Sequence, residues 1–182
     1  MRVLVAGASG AIGTRLVPQL VHRGHQVVGT SRSADKAEQL RALGCEPVAV
    51  DLLDRAAVGR AVVEAAPDAI VHQATALADL SFSRNFDRTF AQTNKLRTEG
   101  TDALLAAARE AGVERFVAQS FASYRTAREG GPVKTEDDPL DPAPPATTLE
   151  SNAAMRHLEE AVTNAGGIAL RYGIFYGAAT TG

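Results

Sequence analysis

Val3-Leu4-Val5-Ala6-Gly7-Ala8-Ser9-Gly10-Ala11-Ile12-Gly13 is the stretch on which the reading of this chain turns. Its first four residues are apolar without polar alternation, the pattern of a strand covered on both faces. Beyond the glycines, Ile12, Leu16, Leu20 and Val21 recur at helical spacing across residues 11–23, and Gly24 supplies the stop. The three glycines therefore fall at a strand-to-helix turn. In that position the first allows the tight turn, the second lets the main chain approach a pyrophosphate, and the third lets the helix pack closely on the strand. The amides and dipole at the helix start attract the phosphate charge. Gly7, Ser9, Gly10, Ala11, Ile12 and Gly13 are expected to cradle the phosphates of a nucleotide; a glycine-rich turn without a ligand is the alternative.

Working outward, short apolar runs alternate with longer amphipathic ones. Strands are expected at 26–30, 47–50, 68–72, 115–119 and 168–172, and helices at 34–43, 56–65 and 101–111, with Gly44 and Gly112 as stops. Gly130-Gly131-Pro132 with Pro139, Pro142, Pro144 and Pro145 marks a long surface loop. Leu149, Ala153, Leu158, Val162 and Ala165 form the apolar stripe of a last helix, closed by Gly166-Gly167. The fold expected is α/β, a Rossmann doubly wound parallel sheet of six or more strands ordered 3-2-1-4-5-6, with helices on both faces and one domain over residues 1–182.

Bulk properties narrow the function classes. A net charge of -2 offers neither a basic field for nucleic acid nor a cationic face for membranes. The single cysteine, Cys45, cannot make an internal disulfide, which fits a reducing cytoplasm. The opening apolar run ends at Gly7, too short for a secretory signal, and no stretch approaches the ~20 residues of a membrane span. His72 has no second histidine or cysteine at metal-ligand spacing, so no metal is expected. After the second strand the chain reads Thr30-Ser31-Arg32-Ser33, without the carboxylate that accepts bonds from the ribose of NAD. Arg32 offers a guanidinium suited to a 2′-phosphate, which favours NADP over NAD; a solvated arginine at a helix start is the competing reading.

The spacing Gly-x-x-Gly-x-x-Gly resembles the extended short-chain dehydrogenase/reductase family, the NAD-dependent epimerase/dehydratase group. Further matches lie at Asp51-Leu52, His72-Gln73-Ala74, Asn94 with Gly100-Thr101, Ser120 to Tyr124, and Arg171-Tyr172-Gly173 before Tyr176-Gly177, in family order over nearly the whole chain. The resemblance implies that Asp51 and Leu52 contact the adenine side, and that main chain at Gln73 and Ala74 lines the cofactor. A turn or helix cap competes at Asp51, and His72 itself reads as a packing residue. Ser120 resembles the family's catalytic serine, four residues before Tyr124; a small polar residue at a strand end is the bland alternative.

Two features depart from the family. Aligning Glu159 and Val162 with the family's helix puts Ser151 where the catalytic tyrosine belongs and Met155 where its lysine belongs; a shift by one gives Asn152 and Arg156. Neither register supplies a phenol, and Tyr124 could meet Lys134 only if the proline loop folds back. The family's segment after Gly177 is also far longer and builds a substrate lobe, so this chain reads as naturally short or as lacking that lobe. The resemblance implies an NADP-dependent oxidoreductase or epimerase-like enzyme on a small carbonyl, hydroxyl or sugar-like substrate, with a homodimer as the expected assembly. A catalytically inert or non-redox nucleotide-binding module is the alternative.

Overall fold

In the computed structural model of the chain, residues 1–77, 86–122, 126–127 and 129–175 are described. Six parallel strands run in the order β3-β2-β1-β4-β5-β6: β1 Arg2–Ala6, β2 Gln26–Ser31, β3 Glu46–Ala49, β4 Ala69–His72, β5 Arg115–Phe121 and β6 Ile168–Tyr172. The expected sheet and strand order are both present. Alternation within β1 explains why two layers of helix are needed. Val3 and Val5 point into a cluster with Val17, Val27, Leu40 and Cys45, beneath α1 (Gly13–His22) and α2 (Ala37–Ala42). Leu4 and Ala6 point the other way, into the larger core shared with α3 (Arg55–Ala65), α5 (Thr101–Glu110) and α6 (Leu149–Asn164).

Register places the functional ends of the strands together. Ala6 pairs with Thr30 on one side and His72 on the other, while Ser120 and Phe121 pair with Arg171 and Tyr172. The order reverses between β1 and β4, and the glycine loop sits at that switch point, where ligands of such sheets bind.

Three elements differ from the sequence expectation. The helix expected over 34–43 begins as a 3-10 turn, Ala34–Lys36, whose start is capped by the Ser33 hydroxyl accepting from the Asp35 N–H. Helix α4, Phe86–Lys95, was not anticipated. It runs through a π-turn, Leu96–Gly100, straight into α5. The stripe of α6 is partly as expected: Leu158 and Val162 are buried, whereas Leu149, Ala153 and Ala165 are exposed and Ser151, Ala154 and Met155 complete the inner face. Ser151 is accommodated inside because its hydroxyl accepts from Asn94. The proline-rich segment is a surface loop, tied down by a bridge between Thr126 and Leu140. No described helix is long and apolar enough to cross a membrane.

Candidate nucleotide and active site

Gly7 ends β1 at φ +86°, and its N–H donates to Thr30 Oγ1 at 3.3 Å. A Cβ there would lie 2.6 Å from Ala74 Cα and 2.9 Å from the Gln73 carbonyl carbon. At Gly13 a Cβ would stand 2.5 Å from the carbonyl oxygens of both Gly7 and Ala8. Folding alone therefore demands these two glycines. Gly10 is different. It is exposed, and a Cβ would meet nothing within 4 Å except the Gly7 oxygen at 3.3 Å. The protein leaves the space above Gly10 open, as a pyrophosphate approaching bare main chain requires. Ser9 joins this loop to the end of β2 through a hydroxyl bond to Ser31, 3.2 Å. Ala11 is exposed and Ile12 half-buried, so both remain at the rim of the cradle.

At the end of β2, Arg32 is exposed and makes no ion pair or hydrogen bond among the described residues. Its charge is not committed to the fold. Asp51 follows β3, where Oδ1 accepts from the Leu53 N–H at 3.0 Å and shapes the turn. Leu52 is 3% exposed and belongs to the core, so only its main chain can face a ligand.

The end of β4 is built around His72. Its Nδ1 accepts from the Ala74 N–H at 3.4 Å and its Nε2 donates to the Leu96 carbonyl at 3.3 Å, a carbonyl of the π-turn. Burial pushes its pKa down to about 4. The imidazole is a neutral brace that orients the loop at Gln73 and Ala74, which Ala76 extends by donating to Thr93 Oγ1 at 3.1 Å. An unfolded histidine binds its proton at about pH 6.5, so the unfolded state gains protons first as pH falls. Stability is present above about pH 6.5 and is lost progressively toward pH 4. Urea unfolding should show roughly 2 kcal/mol less stability at pH 5 than at pH 7.5 from this residue, and His72→Gln should flatten that dependence.

In one register helix α6 sets Ser151 and Met155 at the positions of the family's acid–base pair, and both are buried; in the other, Asn152 is half-buried and Arg156 exposed. Ser151 is wholly buried and its Oγ accepts from Asn94 Nδ2 at 3.0 Å; Met155 is 4% exposed. No side chain of α6 itself caps its start. Asp87 of α4 does so from afar, accepting from the Glu150 N–H at 3.0 Å and the Ser151 N–H at 2.8 Å. A buried carboxylate meeting the positive end of a helix combines capping with dipole stabilisation. Asp87→Ala should cost about 2 kcal/mol and lower Tm by roughly 4–8 °C, read by calorimetry. A change within a degree would show that α6 needs no such anchor.

Ser120 stands on the face of β5 shared with Phe116 and Ala118, fully buried, and its hydroxyl donates to Glu159 Oε1 at 2.5 Å. Arg171 of β6 grips the same carboxylate, Nε at 3.2 Å and Nη2 at 2.9 Å. That carboxylate holds the Arg171 pKa above its ordinary value. The expected catalytic serine is thus one corner of a tie between β5, β6 and α6. Tyr124 lies outside the described residues. Lys134 bonds within its own loop, to the Glu129 carbonyl and to Asp138 at 3.6 Å. Two contacts escaped the sequence reading. Asp87 carries no motif, and the phenol of Tyr172 accepts a bond from Gln73 Nε2 at 3.3 Å, across 99 residues of chain.

Comparison with known proteins agrees with this geometry. The model of the NAD dependent epimerase/dehydratase family matches residues 3–182. A 3-diazoavenalumate denitrifying reductase from a Streptomyces species is 46% identical over 99% of this chain and 58% of its own length. A UDP-glucose 4-epimerase from Mycolicibacterium smegmatis is 36% identical over 80% of the chain and 46% of its own length. Among solved structures, the UDP-glucose 4-epimerase of Thermus thermophilus in complex with NAD superposes with a TM-score of 0.72 and 31% identity, over 94% of this chain and 55% of that one. The chain thus spans about half the length of the relatives it matches.

Proposed function

The chain belongs to the NAD dependent epimerase/dehydratase family, and from that premise we propose that it carries the cofactor site of an NADP(H)-dependent reductase whose substrate accepts hydride without needing a proton from the protein. The observation that supports this reading is that neither register of α6 supplies a phenol, and that in the first register the two positions hold a buried serine, Ser151, and a buried methionine, Met155. A bound nicotinamide supplies the hydride. A carbonyl that accepts hydride becomes an alkoxide, and a positioned acid that protonates it contributes about 10²–10⁴-fold. A diazonium cation that accepts hydride needs no such acid. The new C–H bond forms, the C–N bond breaks, dinitrogen leaves, and the charge balances. The denitrifying reductase in the comparison is named for a diazo substrate, and its 46% identity favours the same substrate class here.

The residues divide their work accordingly. The Gly10 main chain receives the pyrophosphate, Arg32 the 2′-phosphate that distinguishes NADP, and the Asp51-Leu52 turn the adenine side. Gln73 and Ala74 line the nicotinamide half. Ser120 enters as a brace through Glu159 and Arg171, so Ser120→Ala should change turnover only modestly.

The test is NADPH oxidation with a panel of arenediazonium salts, aldehydes and ketones, corrected for the rate without protein. We expect turnover with dinitrogen release on diazonium compounds, and rates at least ~100-fold lower on carbonyls. Efficient carbonyl reduction abolished by Tyr124→Phe would overturn this reading and make Tyr124 the acid. Tight NADPH binding with no turnover of any substrate would leave the chain a binding module.

A further inference from the structure

Phe86 and Phe90 lie one turn apart on α4, and their rings stack with centroids 4.0 Å apart and planes at 20°. Their neighbours on the helix fix where they point. At ~100° per residue, the line through Phe86 and Phe90 runs between Thr93 on one side and Asp87 and Asn94 on the other. Thr93 faces the loop after β4, where its Oγ1 accepts from the Ala76 N–H at 3.1 Å. Asp87 and Asn94 face the first turn of α6, through the Glu150 and Ser151 N–H groups and the Ser151 hydroxyl. The two rings therefore point into the angle between the β4 loop and the start of α6. Burial changes along this face. Thr93 is fully buried and Arg97 is 5% exposed, whereas Phe90 and Phe86 are half-buried. The angle is closed toward the C-terminal end of α4 and opens at the rings.

The borders of that opening are the parts of the chain assigned above to the reaction. The β4 loop begins with Gln73 and Ala74, and α6 opens with Ser151 and Asn152, the two readings of the family's acid position. A substrate held between them rests against α4, and the surface α4 presents there is two phenyl rings. Already stacked on each other, the rings have little freedom left to lose and carry no polar atom. Their complement is a third aromatic ring. Offset-stacked or edge-to-face at centroid distances of about 4.5–7 Å, such a ring gains more than its buried area alone provides, and a saturated group of the same size does not. We propose that Phe86 and Phe90 form an aromatic wall that receives the ring of an aryl substrate and selects it over an aliphatic one. The inference names the substrate class of the site argued under Proposed function and rests on that reading for the reaction.

Titration of the NADP⁺-loaded chain with 2-naphthol, followed by the probe's fluorescence and competed with decahydro-2-naphthol, tests the wall without turnover. The two probes share a carbon skeleton and a hydroxyl and differ in aromaticity, and the chain has no tryptophan to obscure the signal. Wild type should bind 2-naphthol about three- to tenfold more tightly than its saturated counterpart. Replacing both rings, Phe86→Leu with Phe90→Leu, should erase that preference. The double variant should bind NADP⁺ as wild type does, which also shows that it is folded. With benzenediazonium and NADPH, its loss should fall on KM, raised about three- to tenfold, rather than on kcat. Equal binding of the two probes by wild type, or no binding of either, would overturn the wall. An unchanged preference for 2-naphthol in the double variant would overturn it as well. Loss of NADP⁺ affinity in step with naphthol affinity would overturn it by making the two rings structural. A ring preference that depends on Phe86 and Phe90, without turnover of benzenediazonium, would uphold the wall and overturn the diazonium reading instead.

Discussion

Gly10→Val is expected to remove nucleotide binding, by ~100-fold or more, from a protein that still folds. The three glycines of the loop look equivalent as a motif, but the structure separates them by what surrounds each one. A side chain at Gly7 would collide with the main chain of Gln73 and Ala74, and φ there is left-handed. A side chain at Gly13 would strike two carbonyl oxygens and separate α1 from β1. Substitution at either should destabilise the whole domain, by the ~3 kcal/mol or more that overpacking and backbone strain can reach. At Gly10 the sole neighbour is the Gly7 oxygen, and the backbone is outside the left-handed region. Valine there should change stability by no more than about 1 kcal/mol. Its branched carbons would occupy the place where the main chain must approach the phosphates. Thermal unfolding and calorimetric titration with NADPH on the same preparation separate the two effects. Retained affinity in a folded Gly10→Val would remove the pyrophosphate from this loop. Collapse of the fold instead would show that Gly10, too, is there for packing.

The same distinction explains which parts of the molecule were legible in the amino-acid sequence. Strands β1 and β4 announced themselves because both faces of a parallel sheet are covered, which leaves uninterrupted apolar runs. Helix α4 did not, because its buried residues are Asp87, Thr93 and Asn94, polar side chains that read as a surface. Two of those polar groups meet α6: Asp87 caps it and Asn94 bonds Ser151, while Thr93 accepts from the Ala76 N–H. The inner face of α6 was only partly legible for the same reason, since it includes the polar Ser151 beside Leu158 and Val162. Ser120 matches the family's serine by its place at the end of β5, four residues before Tyr124, and in the structure its hydroxyl meets Glu159. Spacing along the chain cannot reveal which face of β5 a hydroxyl occupies when the partner carboxylate is 39 residues away. The glycine turn was readable because its geometry is local, and the Gln73–Tyr172 contact was not because it is made only by strand order.

Arg32→Ala is expected to weaken NADPH by roughly ten- to a hundredfold and to leave NADH nearly unchanged. The magnitude follows from a charge-assisted bond, worth about 1.5–3 kcal/mol, between a guanidinium and the 2′-phosphate that only NADPH carries. Two structural facts make a selective effect the expected one. Arg32 is exposed and has no partner among the described residues, so its removal breaks nothing that holds the fold. The turn that presents it is fixed independently, through Ser33 capping the 3-10 turn and the Ser33 N–H donating to Ser31 Oγ at 3.3 Å. Arg32→Lys discriminates further. A lysine keeps the charge but loses the planar fork, so it should recover part of the affinity and not all of it. Raising the salt concentration should shrink the wild-type preference for NADPH, because an exposed charge pair is screened. Titrations of wild type, Arg32→Ala and Arg32→Lys with both nucleotides give all the comparisons needed. Equal loss of NADPH and NADH in Arg32→Ala would make the arginine structural. Tighter binding of NADH than NADPH by wild type would reverse the cofactor assignment and place the ribose hydroxyls, not a phosphate, at the end of β2.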